Sequence, residues 1–245
     1  MSVSSSAPNS IDDQKPTGSP EQSCTNLAVF DFDGTCIDSQ SGTLFSLYLF
    51  KRGYLSVSRA ARLFRWGARY LLHLPNRQEE SREIIIESLN EHTVDEVKQI
   101  MNDFFEEALV RRFRKKALDE VAQRHEEGCI TILLSATFSG IAAPAARYLG
   151  MDVCIATEME TDGEGKYTGK VLGPVIAGKE KPRAVERWAN EHLGQGAWRI
   201  LYAYGDHHTD EYLLERAVRP FVVSPGKTLK QIAKRRGWPI VDWSR

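Results

Sequence analysis

Hydrophobic and polar positions change period along this chain, and the changes divide it. Residues 27–30 form a short apolar run that reads as a buried strand, and it leads directly into Asp31, Phe32, Asp33, Gly34 and Thr35. From residue 41 to residue 116 the pattern is helical, with sparse glycine and few β-branched runs. Beyond it, apolar runs alternate with amphipathic stretches. The pattern predicts strands at 129–134, 153–157, 199–204 and 221–223, with a last strand starting at 239–241. Helices are predicted over 117–127, 140–149, 182–192, 210–216 and 228–235, the first two closed by Gly128 and Gly150. A turn at Asp162, Gly163, Glu164 and Gly165, followed by residues 167–171, predicts a β-hairpin.

Strands alternating with helices imply an α/β fold: a parallel sheet with helices on both faces. The helical stretch interrupts that alternation after the first strand and is best read as an inserted cap domain over 41–116. The catalytic core is then 25–40 with 117–245. Residues 1–24 are rich in Ser, Pro, Asn, Gln and Asp and lack an apolar core, so they are expected to form a disordered tail and not a signal peptide.

Composition narrows the picture. With 42% hydrophobic and 27% charged residues the chain can bury a sizeable core without disulfides or structural metal. A net charge of -1 gives no overall attraction to nucleic acid. No apolar run approaches the roughly 18 residues that span a bilayer. None of the four cysteines, Cys24, Cys36, Cys129 and Cys154, forms a pair with zinc spacing. Cys129 and Cys154 read as buried free thiols, which suits a reducing, cytoplasmic setting.

Candidate chemistry lies where the predicted strands end. Ligands of open α/β sheets bind at the carboxyl ends of strands. Asp31 and Asp33, two apart, can point the same way, and Gly34 permits a sharp turn after them. One carboxylate can attack while its neighbour carries a proton; the plainer reading is an Asp-Gly turn whose aspartates only cap it. Residues 202–205 lead into Asp206 and Asp210, oxygen ligands of the kind magnesium takes, although Asp210 can also be a helix cap. Ser135, Ala136 and Thr137 end another strand, where a hydroxyl and backbone N–H groups can hold phosphate oxygens or a serine can cap the next helix. Lys181 falls just before a helix start, where the macrodipole opposes it, so an anionic partner would explain it as well as solvent would.

Taken in order, these residues resemble the four motifs of the haloacid dehalogenase (HAD) superfamily, across nearly the whole chain from Leu27 onward. The resemblance implies a Rossmann-like core and a magnesium-dependent phosphomonoester hydrolase. Asp31 would become an aspartyl-phosphate, and Asp33 would protonate the leaving alcohol and then deprotonate water. Asp31, Asp33 (through its carbonyl), Asp206 and Asp210 would serve the magnesium. Thr35 is expected to steady the loop, and Ser135 with Ala136 to hold a phosphoryl oxygen. Lys181 would pair with nucleophile and phosphate, because Gly178 stands three before it; Lys179 is its rival, and is otherwise expected near the substrate.

The position of the helical stretch, the hairpin with Tyr167, Thr168 and Gly169, and the ending through Ser224, Pro225 and Gly226 to Val241 are similar to the phosphoserine-phosphatase-like subgroup (subfamily IB). Two departures stand out. Phosphoserine phosphatases carry a glutamate nine residues after the nucleophile to meet the substrate amine, and here that residue is Gln40, which argues against phosphoserine. His207 and His208 stand where small residues are commoner; they read as a partly exposed loop pair.

Within the insertion, Arg59, Arg62, Arg65, Arg69 and His73 share one side of a helix of about 3.6 residues per turn, with Val57, Ala60, Phe64, Ala68 and Leu71 opposite. Such a helix can face solvent, steer an anionic substrate or rest on a membrane surface. Arg77, Arg82 and Arg111 are further candidates for substrate selection. The expected partner is a small-molecule phosphomonoester. Two other readings stay open: a phosphatase of a lipid-like phosphate at a membrane surface, and a phosphate-binding regulatory protein without turnover.

Overall fold

The structure, a computed structural model, describes residues 24–72, 74 and 77–244. The expected tail therefore lies outside the described residues except for Cys24, and His73 of the basic stripe lies outside them too.

Seven strands form one sheet in the order β4-β3-β2-β1-β5-β6-β7: β1 (Thr25–Asp31), β2 (Ile130–Phe138), β3 (Val153–Thr161), β4 (Tyr167–Leu172), β5 (Trp198–Gly205), β6 (Arg219–Val223) and β7 (Ile240–Val241). All neighbours run parallel except β3 and β4, which form the expected hairpin. The order reverses at β1, which pairs with β2 on one side and β5 on the other, so the crevice at its carboxyl end is the place where such sheets bind ligands.

β1 is buried on both faces, and its alternation sorts the core into two clusters. Leu27 and Val29 pack with Ile132, Leu134 and the apolar sides of α7 (Glu180–Leu193), α8 (Glu211–Leu214) and α9 (Lys227–Arg236). Ala28 and Phe30 face the opposite way, toward α5 (Lys115–Glu126), α6 (Ser139–Leu149) and the helical insertion. There Phe30 stacks on Tyr204 at 4.3 Å, and Tyr204 on Phe221 at 5.3 Å.

The insertion contains α1 (Ser41–Lys51), α2 (Val57–Leu71), α3 (Gln78–Glu87) and α4 (Val94–Phe104), then a π turn at Phe105–Leu109 and a 3-10 turn at Val110–Arg112. Thr93 caps α4 by accepting from the Glu96 amide while Glu96 accepts from the Thr93 amide. Phe45, Leu49, Ile85, Ile86, Met101 and Phe104 belong to the same buried cluster as Phe30, so insertion and sheet share one continuous core. The hairpin tip adds a tether, with the Val94 amide donating to the Gly165 carbonyl at 3.2 Å.

Three elements differ from the sequence expectation. β2 runs on to Phe138, carrying Ser135 and Thr137 inside the strand, because it stays paired to β3 across a register shift. α7 begins at Glu180, which places Lys181 within its first turn; Pro182 is tolerated there because first-turn amides have no intrahelical acceptor. The helix expected at 210–216 is a 3-10 turn (His208–Asp210) followed by the short α8. The four cysteines are free: Cys36 and Cys129 are buried, Cys154 is only partly so, and Cys24 is exposed.

Asp152 ties the edges of β2 and β3 together. Its carboxylate accepts from the Thr131 amide (2.8 Å), the Thr131 hydroxyl (2.9 Å) and His125 Nε2 (2.9 Å). Partial burial alone would raise its pKa, but the hydrogen bonds outweigh burial and hold it below the usual aspartate value. Stability from a depressed carboxyl is complete above its unfolded pKa of about 3.9 and drains away as pH falls through the lower folded value. Asp152→Asn is expected to lower stability by about 1 kcal/mol or less at pH 7, the side chain being partly exposed. Denaturant titrations should show the gap to wild type closing at acid pH.

Candidate active site

The carboxyl ends of β1 and β5 place Asp31 and Asp206 next to each other, and the turn after β5 adds Asp210. Each of the three offers a carboxylate oxygen, all within 4.8 Å of one another. Asp31 ends β1 on the face that α7 covers. From the first turn of α7, Lys181 reaches in and donates to Asp31 Oδ1 at 2.5 Å and to Asp210 Oδ1 at 2.6 Å. All three groups are buried. Asp210 Oδ2 accepts from the His207 amide at 3.1 Å, which completes the capping box of the 3-10 turn; it makes no side-chain cap to α8, and its other oxygen is the one that Lys181 holds.

Charge in this cluster is unbalanced. Burial raises Asp31 to about 7, with Asp210 and Asp33 adding to the rise against the pull of Lys181. Burial and the nearby Asp31 and Asp210 raise Asp206 to about 9. Burial works against the Lys181 charge as well, but Asp210 and Asp31 outweigh it and hold the ammonium above its ordinary pKa. Three carboxylates against one ammonium form an all-oxygen donor set that a hard divalent cation fits.

Asp33 does not join those three. The chain leaves the strand after Asp31 and turns at Gly34, whose φ is +83°, so the two aspartates serve different partners. Asp33 accepts from the Ser41 amide at 2.6 Å and the Ser41 hydroxyl at 3.0 Å. Ser41 opens α1, whose N-cap Gln40 makes no side-chain cap; Asp33 thus satisfies one of the orphan donors of that helix from across the loop. Burial raises the Asp33 pKa, and the two Ser41 bonds partly offset the rise.

The remaining expected residues separate. Thr35 is fully buried and donates to Asp31 Oδ2 at 3.1 Å and to Asp206 Oδ1 at 3.4 Å, so it braces the carboxylates. Ser135 is buried at the end of β2, where its hydroxyl accepts from the Thr137 amide at 3.0 Å; the N-cap of α6 is Phe138, so Ser135 is not a helix cap. The Ala136 carbonyl accepts from Arg82 Nε at 2.8 Å and from the Thr157 hydroxyl at 3.0 Å. Lys179 is exposed, with its ammonium over the Tyr212 ring, and is not brought to the carboxylates. His207 and His208 are exposed, with ring centroids 4.0 Å apart.

Three site neighbours escape the sequence reading in this role. Ser41 holds Asp33; the only local signal is its place at a helix start. Arg82 reaches from α3 to the end of β2. Arg114 clamps the loop after β1, donating to the Gly34 carbonyl at 3.2 Å and to the Trp243 carbonyl at 2.9 Å. Neither arginine has a sequence signal that sets it apart.

Comparison with known proteins gives the family and the fold. Residues 28–215 match the family model for haloacid dehalogenase-like hydrolases. A protein of Mycobacterium tuberculosis described as a probable phosphatase is 30% identical over 256 residues, covering 100% of this chain and 85% of its own length. A histidinol-phosphatase of Neisseria meningitidis is 25% identical over 223 residues, covering 89% and 99%. Among solved structures, a protein of unknown function from Bordetella pertussis superposes with a TM-score of 0.82 at 28% identity, covering 90% of this chain and 100% of that one. A phosphoserine phosphatase superposes with a TM-score of 0.61 at 18% identity, covering 91% and 95%, which speaks for the shared fold.

Gly34 is the tightest point of the site. A Cβ there would stand 2.2 Å from Asp206 Oδ2, and the positive φ disfavours any side chain. Gly34→Ala is expected to cost about 1–3 kcal/mol in strain and to displace Asp206. Thermal unfolding reads the first effect and loss of divalent-cation binding the second; a variant that matches wild type in both would refute the close approach.

Proposed function

The chain belongs to the haloacid dehalogenase-like hydrolase family, and from that premise we propose that it is a phosphomonoester phosphatase working through an aspartyl-phosphate on Asp31. The observation that carries the reading is the bridge from Lys181 to Asp31 and Asp210 within a cluster that also holds Asp206.

In this reading an oxygen of Asp31 attacks phosphorus in line and the bond from phosphorus to the alcohol oxygen breaks. Asp33 gives its proton to the departing oxygen. Water then attacks the phosphoryl group on Asp31, Asp33 takes the water proton, and phosphate leaves with Asp31 restored. A raised pKa suits Asp33 to this exchange, since burial makes the carboxyl hold its proton more readily than an ordinary aspartate would. Lys181 offsets repulsion between the Asp31 carboxylate and a phosphate dianion. Magnesium, held by Asp31, Asp206 and Asp210 with the Asp33 carbonyl, would supply the remaining positive charge. Thr35 braces Asp31 and Asp206. Ser135 and the amides around Ala136 are the proposed holders of the transferring phosphoryl oxygens. The helical insertion over 41–116 would serve as the cap that selects the alcohol. Relatives described as probable phosphatase and histidinol-phosphatase support the reaction class.

A role in phosphate binding without turnover fits less well, because a protein that only binds phosphate has no need of Asp33 as a second, separately held carboxyl.

Phosphate release from a panel of phosphomonoesters with magnesium tests the reading. Asp31→Asn is expected to reduce kcat by on the order of 10³ or more, and Asp33→Asn by about 10²–10⁴. Wild-type turnover that survives chelation, or that Asp31→Asn leaves intact, would sink it. Because protons hold Asp31 up to about 7 and Asp206 up to about 9 without a cation, cation and proton compete for the same oxygens. Apparent magnesium affinity is therefore expected to rise with pH across that interval, which titration calorimetry at several pH values would read.

A further inference from the structure

A cavity of about 550 Å³ opens beside Asp33, within the size range of small-molecule sites. Its wall is largely apolar: Phe45 from α1, Leu63 and Trp66 from α2, Ile85 from α3, and Phe138 and Ile141 at the end of β2 and in α6. Part of its polar lining is tied together at one end. Ser41 joins Asp33 to Thr137 through bonds of 3.0 and 2.7 Å, and Arg82 donates to the carbonyl of Ala136, the residue before Thr137. Among the described lining residues, Asp33 and Arg82 are the only charged ones. Both Asp33 oxygens already accept from Ser41, and Gln40 on the same wall carries no charge. Apart from Asp33, which the proposed reaction uses at the leaving oxygen, no described lining residue is acidic, so none meets an ammonium farther along the wall.

An alcohol bearing an amine would lose its hydration here without a counter-charge, which is costly. An apolar alcohol would gain from leaving water along the whole wall. Phe64 also lines the cavity and is 80% exposed, so the apolar wall reaches solvent at that residue. At the other extreme, Arg82 is a cation beside Asp33 that suits a phosphate dianion.

We propose that this cavity receives the alcohol portion of an alkyl- or acyl-chain monophosphate, with the chain lying between α1, α2, α3 and α6 and leaving past Phe64. The proposal rests on the phosphatase reading for where the phosphate sits, and it names the substrate class that reading left open.

The test is binding of straight-chain alkyl phosphonates, butyl to decyl, to the full chain with magnesium, by calorimetry below their aggregation concentrations. A phosphonate is not hydrolysed, so the measurement stands apart from turnover. Kd is expected to fall about fourfold for each added methylene until the cavity is filled. The phosphonate analogue of phosphoserine is expected to bind no better than the butyl compound. Gly67 of α2 lines the cavity, and a Cβ there meets nothing within 4 Å. Gly67→Trp is expected to put an indole into the cavity, at a helical position that gains from losing glycine. It is expected to flatten the chain-length series and weaken decyl binding at least tenfold, with its folding checked by thermal unfolding.

A Kd independent of chain length, a series unchanged in folded Gly67→Trp, or tight binding of the phosphoserine analogue would each overturn the proposal. Turnover of short esters alongside a flat series would remove this proposal and keep the phosphatase reading. Steep chain-length dependence with no ester hydrolysed would do the reverse.

Discussion

One buried ammonium between two buried carboxylates organises this site. Lys181 has to be charged to hold Asp31 and Asp210 together, and burial alone would strip that charge; the two aspartates restore it. Breaking a buried pair by removing one partner typically costs about 3–5 kcal/mol, because the other charge is left alone. The surrounding fold keeps the geometry. Ala184, Val185 and Ala189 seat α7 against Leu27, Val29, Ile132 and Leu134, which fixes how far Lys181 reaches. With Asp206 included, the cluster remains short of positive charge, and the raised pKa values of Asp31 and Asp206 are the measure of that shortage.

The strand ends were legible because they rest on local rules. An apolar run that stops at an aspartate with a glycine close by marks a strand running into a tight turn: Gly34 lies three residues after Asp31, and Gly205 directly precedes Asp206. The choice between Lys179 and Lys181 was not legible, since it depends on where α7 starts. With the helix beginning at Glu180, Lys181 is turned to the carboxylates and Lys179 to Tyr212. Period 2 also suggested that Asp31 and Asp33 point together; the backbone departs from strand geometry between them, and the rule stops applying there. Ser41 and Arg114 were hidden for a different reason, and Arg82 stood out only as one of three arginines that could select substrate. Arg82 meets Ala136 across 54 residues and Arg114 meets Gly34 across 80, and no local pattern encodes such pairs.

The helical wheel of α2 was read correctly as a pattern and incompletely as an environment. Residues opposite its arginines are apolar, yet Phe64 is 80% exposed and Val57 75%. Ala60 and Leu63 pack against the core, while Trp66, Gly67 and Ala68 face the cavity. An apolar face ordinarily marks a packed one; here part of it borders empty volume instead. That combination marks the insertion as a wall built for something other than its own core, which is why its chemistry bears on the substrate.

The insertion also bears on the reaction itself. Asp33, the proposed proton carrier, is bonded to the first residue of α1, and the end of β2 is bonded to Arg82 of α3. The layer that would select the alcohol and the layer that would cleave its ester therefore share hydrogen bonds as well as a hydrophobic core. If α1 withdrew, Asp33 would lose two donors that now oppose the upward pull of burial on its pKa. Solvent admitted by the same movement would ease that burial. Proton affinity at Asp33 is thus tied to the position of α1, and α1 packs through Phe45 on Phe104 of α4 at 5.0 Å. An alcohol that fills the cavity presses on α1 and α3 together. Its fit would be felt at Asp33, so selectivity in this arrangement should appear in the rate of the chemical step as well as in binding.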